Sequence, residues 1–159
     1  MFLIIILLMI VIGCIVYGGW KIYTYSCRRV LEYREKYNRF FWMYKMLYQW
    51  MENTYKQKSI EKYLINNNWK TIAIYGCGDI GKLIYEELKD STIDIKCGID
   101  KNSNINFPIR VVDPQQFNEC VDVILVASIV YYYEIEKELK RITDIPIVSI
   151  EDMVYEIGY

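Results

Sequence analysis

A glycine-rich motif is the clearest candidate for chemistry in this sequence of 159 residues. The motif follows an apolar segment and consists of Gly76, Cys77, Gly78, Asp79, Ile80 and Gly81, which fit the pattern G-x-G-x-x-G. In this pattern the first glycine permits a tight turn, the second lets a phosphate approach the backbone, and the third lets helix and strand pack closely. Free backbone N–H groups and the helix dipole then favour a phosphate. The motif therefore predicts a nucleotide-type ligand.

Two aspartates accompany this motif. Asp100 lies nineteen residues beyond Gly81, where an acidic side chain commonly accepts hydrogen bonds from a ribose hydroxyl. It is also a candidate turn residue that opens the loop at 99–102, and both interpretations can hold. Asp79 carries a charge that would repel a phosphate, so we expect it to cap a helix that begins near Ile80.

Catalytic side chains are scarce in this sequence. There is no histidine, which excludes Ser-His-Asp and Cys-His catalysis and every His-ligated metal site. Cys77 has no base nearby and is interpreted as a packing residue, so we predict no catalytic residue and no metal site. Tyr133 and Lys137 have the Tyr-x-x-x-Lys spacing of short-chain dehydrogenases, with Ser128 just before them. In a chain with 16 tyrosines we interpret that spacing as coincidence.

The glycine motif requires a strand before it and a helix after it, and the sequence supplies both. Strands are predicted at 71–75, 93–99, 109–112, 121–127 and 145–150. Helical segments are predicted at 82–89, 114–117, 131–141 and 151–157, and Ser59 is expected to cap a short helix that runs through Ile65. Strands that alternate with helices favour βαβ units, so the predicted fold class is α/β with a small, doubly wound parallel sheet.

An apolar segment at residues 2–20 contains no charged side chain. As a helix it would span roughly 28 Å, close to the ~30 Å hydrocarbon core of a bilayer. It lacks the basic n-region and the A-x-A-like site of a cleaved secretory signal, which is the alternative, so we predict an uncleaved single-pass anchor. Aromatic and basic residues follow the apolar run, which places the remainder of the chain in the cytoplasm of a membrane-bound protein. These residues are Tyr17, Trp20, Lys21, Tyr23, Tyr25, Arg28 and Arg29.

The five cysteines support this compartment. They are odd in number, widely spaced and without a CxxC pair, which argues for reduced thiols and against a disulfide framework or a zinc site. They are Cys14, Cys27, Cys77, Cys97 and Cys120.

A basic, aromatic segment links the anchor to the α/β region. Residues 21–58 carry a net charge of +6, whereas the chain beyond them carries −7. Apolar residues recur here at steps of three and four, which predicts an amphipathic helix at 28–58. Such a helix could lie on anionic lipid or pack on the following domain or on a second copy, and we favour protein packing over lipid. No nucleic acid partner is expected. The predicted organisation is an anchor at 1–27, this helix at 28–58 and a domain at 59–159.

Four segments carry a resemblance to a known domain type: 71–81, 98–102, 108–111 and 121–126. They resemble the small Rossmann-like domain of bacterial polysaccharide-biosynthesis proteins. That type includes the amino-terminal nucleotide-sugar-binding part of sugar O-acyltransferases and the domain preceding the catalytic region of membrane nucleoside-diphosphate-sugar epimerases and dehydratases. The resemblance covers roughly Lys70 to the end of the sequence, in which no catalytic domain or acyltransferase repeat follows.

The resemblance implies binding of a nucleotide or nucleotide sugar, with NAD(P) as another ligand to test, by the glycine motif, with Asp100 near the ribose or base. The leading hypothesis is a membrane-tethered cytoplasmic binding module that is not catalytic alone and serves bacterial surface-polysaccharide biosynthesis. Its partners would be a second copy or membrane proteins of polysaccharide assembly. Two alternatives stay open. One is a minimal NAD(P)-dependent oxidoreductase or nucleotide-sugar epimerase using Tyr133 and Lys137, and the other is a membrane scaffold that binds no nucleotide.

Overall fold

The computed structural model describes residues 2–158 and shows five helices and five strands within them. The helices are α1 (Phe2–Tyr55), α2 (Ile60–Asn66), α3 (Asp79–Leu88), α4 (Tyr132–Leu139) and α5 (Ile150–Gly158). The strands are β1 (Thr71–Tyr75), β2 (Asp94–Ile99), β3 (Val111–Val112), β4 (Val123–Val126) and β5 (Ile147–Ser149), and a 3-10 turn at Pro114–Gln116 lies between β3 and β4.

The five strands form one parallel sheet in the order β3-β2-β1-β4-β5. β1 lies at the centre, where Ile74 pairs with Gly98 of β2 on one side and with Leu125 of β4 on the other. Every residue of β4 is buried. A parallel strand covered on both faces reads as a continuous apolar run, which is why this segment could be predicted from the sequence. The α/β class and the parallel sheet are confirmed.

Two layers of side chains cover the sheet. On one face Ile72 and Ile74 of β1 join a core cluster with α2, α3, α5 and the carboxyl-terminal part of α1. On the other face Ala73 and Tyr75 join a second cluster, in which α4 contributes Ile135 and Leu139. Successive residues of a strand point to opposite faces, so β1 alone contributes to both clusters.

The sequence-based element boundaries differ from the structure by a few residues, except at β1. The short α2 has the expected cap, because the Ser59 Oγ accepts a hydrogen bond from the Lys62 N–H at 3.3 Å. β4 begins at Val123 rather than at residue 121. The preceding Asp122 turns its carboxylate back to accept hydrogen bonds from the backbone N–H groups of Lys70, at 2.8 Å, and Thr71, at 2.7 Å. These hydrogen bonds tie the start of β1 to the residue that precedes β4.

The chain divides into two units, residues 2–41 and residues 42–158, and the division falls within α1. The α/β unit therefore begins before the predicted limit at residue 59. Met46 and Trp50 are buried in the first core cluster, and the Asn53 Nδ2 donates to the Val154 carbonyl at 2.7 Å. The Trp50 Nε1 also donates to the Glu87 Oε2 at 2.6 Å. The last turns of α1 are thus a structural part of the α/β unit.

The other unit, residues 2–41, is helical throughout. Its apolar stretch is exposed along its whole length, and by length and composition it could cross a membrane. A signal sequence near an amino terminus has the same properties. The predicted division between an anchor at 1–27 and a separate helix at 28–58 is not visible as a break, because α1 runs without interruption through residue 27.

Candidate functional site

The glycine motif connects β1 to α3 at the carboxyl edge of the sheet. Strand order reverses at β1, since β2 and β3 lie to one side of it and β4 and β5 to the other. The Ala127 N–H, just after β4, donates to the Tyr75 carbonyl at 2.8 Å, which brings the loop after β4 beside the motif. In open α/β sheets ligands bind outside the carboxyl ends of the strands at such a reversal.

The structure requires glycine at two of the three glycine positions of the motif. Gly76 has φ +90°, a left-handed conformation that L side chains rarely adopt. A Cβ on Gly81 would lie 2.2 Å from the Gly76 carbonyl oxygen, so only glycine lets α3 pack this closely on the turn. Around Gly78, by contrast, no heavy atom lies within 4 Å of such a Cβ. The fold therefore requires Gly76 and Gly81, whereas Gly78 leaves open space beside the backbone.

Helix α3 begins three residues earlier than predicted, so its first turn lies inside the motif. Gly78 is the N-cap and Asp79 the first helical residue, which contradicts the expected side-chain cap by Asp79. The Lys82 N–H donates to the Gly78 carbonyl at 3.0 Å and closes the first turn. The N–H groups before Lys82 belong to the helix terminus, where no intrahelical carbonyl is available. Asp79 is exposed and places a negative charge beside these donors.

Asp100 lies directly against the glycine motif. Its Oδ2 accepts a hydrogen bond from the Cys77 N–H at 2.9 Å, and its Oδ1 accepts one from the Asn102 N–H at 2.9 Å. The second bond is that of a turn aspartate, as one of the two interpretations expected. The hydrogen bond from the Cys77 N–H is an additional contact that the sequence spacing did not predict. The carboxylate therefore lies between the end of β2 and the motif, and the ribose contact stays a prediction.

Cys77 is fully buried under the motif. Burial, with the Asp100 charge beside it, raises the pKa of the Cys77 thiol to about 12. A thiol at a helix start is otherwise a candidate for a lowered pKa, but here burial disfavours the thiolate. A Cβ on Gly98 would lie 2.5 Å from the Cys77 Sγ, so the sulfur fills the space above β2. This geometry supports the packing interpretation of Cys77.

A cavity of about 560 Å³ opens beside the motif, at the carboxyl ends of β1, β2 and β3. Its lining includes Tyr75, which precedes Gly76, and Lys101, which follows Asp100. The Lys101 Nζ pairs with the Glu138 Oε2 at 3.0 Å across it. The lining is completed by Asp113 and Gln115 at the 3-10 turn and by Arg141 just after α4. The sequence analysis missed this cavity because its residues lie far apart in the chain.

The Tyr-x-x-x-Lys pair noted in the sequence, Tyr133 and Lys137, lies on the surface. Tyr133 is 80% exposed in the first turn of α4, and its ring packs edge-on against Tyr132 with centroids 5.6 Å apart. Lys137, one turn later, is exposed as well. Neither lines the cavity described above. Within residues 2–158, no group of three or more His, Cys, Asp or Glu side chains could hold a metal ion.

Comparison of the chain with protein-family models, with curated proteins and with solved structures finds no match.

Proposed function

We propose that this protein is a membrane-tethered module that binds a nucleotide or a nucleotide sugar on a Rossmann-like fold. The observation that carries the proposal is the glycine motif itself. It lies at the reversal of strand order, with a helix terminus inside it, open space at Gly78 and a carboxylate at its edge. Those features suit a phosphate approached by backbone N–H groups and a sugar approached by a carboxylate.

The ligand would lie along the carboxyl edge of β1 and β2. Its phosphates would contact the N–H groups of residues 78–81, and a ribose hydroxyl would donate to Asp100. The neighbouring cavity of about 560 Å³ falls in the range of sites that hold small molecules, so it has room for a base or a sugar. Arg141 at this cavity offers a positive charge to a phosphate, whereas Lys101 is already paired with Glu138 and Asp113 adds a negative charge.

Membrane attachment would be made by the amino-terminal part of α1, with the α/β unit in the cytoplasm. The apolar stretch at 2–20 and the basic residues after it support this orientation. The resemblance of the α/β region to domains of polysaccharide-biosynthesis proteins supports a role in bacterial surface-polysaccharide assembly, whose lipid-linked intermediates are built at the inner face of the membrane. The module would be an accessory or regulator that does not catalyse a reaction alone.

The oxidoreductase or epimerase alternative is less well supported, because Tyr133 and Lys137 face solvent away from the cavity. The test is a titration of the full chain in lipid nanodiscs with NAD, NADP, CoA and UDP- or GDP-sugars, read by thermal shift and by product analysis. Saturable stabilisation without turnover is the expected result. Turnover would favour the enzyme, and no stabilisation by any of these compounds would favour the scaffold.

A further inference from the structure

A stripe of large side chains lies uncovered on α1 after the apolar stretch. Its members are 61–68% exposed, and they are Val30, Tyr33, Tyr37, Phe40 and Tyr44. Their spacing alternates between three and four residues, a period of 3.5. A spacing that alternates between three and four keeps the side chains on one face of a helix, with a drift of only about 20° per heptad, and it is the spacing of the a and d positions of a left-handed coiled coil. The stripe therefore has the pattern of a coiled-coil seam.

A lipid surface cannot cover this stripe if residues 2–20 cross the bilayer. The helix continues unbroken through residues 20–41, which contain neither Pro nor Gly, so it leaves the bilayer along its own axis. At a rise of 1.5 Å per residue, Tyr33 and Phe40 lie about 20 and 30 Å beyond Trp20. The headgroup layer on each side of the hydrocarbon is only about 5–8 Å thick. The rings lie in water.

Within residues 42–55 of α1, the core contacts are made by Met46, Trp50 and Asn53. Tyr44, on the stripe, is 61% exposed. Leu47, the next position of the repeat, is partly buried and packs on the first core cluster, whereas Met51 after it is 71% exposed. The continuous uncovered stripe therefore ends at Tyr44.

We propose that the seam is covered by a second copy of this chain, in a parallel and in-register two-stranded coiled coil. The orientation rests on the proposed anchor, because two copies inserted the same way in one membrane present α1 in the same direction. An aromatic side chain buries about 150–250 Å² when fully covered. Because about two thirds of each ring is exposed, the four rings on each of two copies offer roughly 800–1,300 Å². With Val30 and the membrane segments added, the contact exceeds the ~1,000 Å² of a stable interface.

The charges beside the seam determine how the association depends on salt. Arg29 immediately precedes Val30, and Arg34 immediately follows Tyr33, so both flank the seam. In a parallel dimer these flanking positions face each other across it, which opposes Arg29 of one copy to Arg34 of the other. This like-charge contact weakens the dimer at low salt. Salt should therefore strengthen the association, which is the opposite of its effect on attraction to anionic lipid.

The test is disulfide crosslinking of the full chain in phosphatidylcholine vesicles, with Cys14, Cys27 and Cys120 replaced by serine. Single cysteines are then introduced on the seam side of the helix, by Tyr37→Cys and by Tyr23→Cys, one heptad before Val30. Others are introduced on the opposite side, by Lys21→Cys and Glu35→Cys. Both seam variants should form dimers, and the two outer variants should remain largely monomeric. Because homotypic crosslinks at two separate positions require parallel chains, the pair also fixes the orientation.

A charge reversal provides the second measurement. Arg34→Glu should raise the crosslinked fraction of Tyr37→Cys several-fold at low salt, and high salt should remove that gain. Arg28→Glu makes the same charge change away from the seam and should leave the fraction unchanged. Equal crosslinking at all four positions, crosslinking at only one seam position, or no crosslinking would each overturn the proposal. Equal changes in the crosslinked fraction for Arg28→Glu and Arg34→Glu would also overturn it.

Discussion

Replacing Trp50 tests whether the end of α1 belongs to the α/β unit. The side chain is 8% exposed in the first core cluster, and its indole donates to Glu87 at 2.6 Å. Glu87 also accepts a hydrogen bond from the Ile60 N–H at 2.9 Å, so it joins α1, α2 and α3. Trp50→Ala removes the buried ring and one of these bonds.

The expected cost can be estimated from these contacts. Truncating a buried Trp or Phe to Ala costs about 3–5 kcal/mol. The lost hydrogen bond to a half-buried carboxylate adds about 1 kcal/mol, at the low end because solvent reaches Glu87. The total is about 4–6 kcal/mol, which is a large part of the ~5–15 kcal/mol that stabilises a typical domain. Trp50→Phe keeps most of the ring and should cost far less.

Thiol labelling measures this loss in the full chain. Cys77 and Cys97 have no exposed surface, so they react with a thiol reagent only when the α/β unit opens. The three exposed cysteines are first replaced by serine. When reclosing is faster than labelling, the rate follows the population of the open form. At 1.4 kcal/mol per tenfold, Trp50→Ala should speed labelling about 10³- to 10⁴-fold.

Tyr48→Ala is the matched control, because Tyr48 lies on the same helix and is 56% exposed. Surface substitutions usually change stability by less than about 0.5 kcal/mol, so this variant should label at nearly the wild-type rate. If Trp50→Ala and Tyr48→Ala label equally fast, the reasoning is refuted and the α/β unit begins after α1, as the sequence predicted.

Three further predictions concern the site and the anchor. Gly78→Val should abolish nucleotide binding while leaving the fold largely intact, because its Cβ would meet open space and only the N-cap preference is lost. Gly81→Ala should destabilise the fold because its Cβ would lie 2.2 Å from the Gly76 carbonyl oxygen. Unchanged affinity in Gly78→Val, measured by titration, would exclude the motif from the site. A carboxylate beside a ribose repels a 2′-phosphate, so NADP should bind more weakly than NAD. Asp100→Ala should reduce this difference in affinity. If this substitution leaves the affinity for the preferred ligand as it was, Asp100 is only a turn residue. For the anchor, protease added to intact cells should spare the α/β unit, and a carbonate wash should not extract the chain from membranes. Recovery of a shortened soluble chain outside the cell would contradict the anchor.

The sheet could be predicted because its signals are local. β1 is an apolar run between an asparagine cluster and a glycine, and its predicted limits match the structure. The start of α3 was missed since its N-cap is Gly78, which offers no side-chain oxygen to recognise in a sequence. The two glycines with steric roles were correctly assigned, since the motif specifies a tight turn and a close helix contact.

Features that depend on distant residues could not be predicted. The limit of the α/β unit lies within a continuous helix and is set by partners such as Glu87 and Val154, far along the chain. The hydrogen bond from the Cys77 N–H to Asp100 spans 23 residues, and the cavity draws on four segments of the chain. Periodicity detects which residues are apolar on a helix, but it does not tell which neighbour covers them.

The contact between α1 and α5 has a consequence for the order in which the protein can fold during synthesis. Asn53 and the Val154 carbonyl that it binds are 101 residues apart. At about 5–20 residues per second, a ribosome needs roughly 5–20 s to add the chain that separates them. During that interval the helix face around Met46 and Trp50 is made but lacks one of its neighbours. A newly made chain thus exposes this face until α5 emerges, which makes it a candidate surface for a chaperone that binds nascent chains.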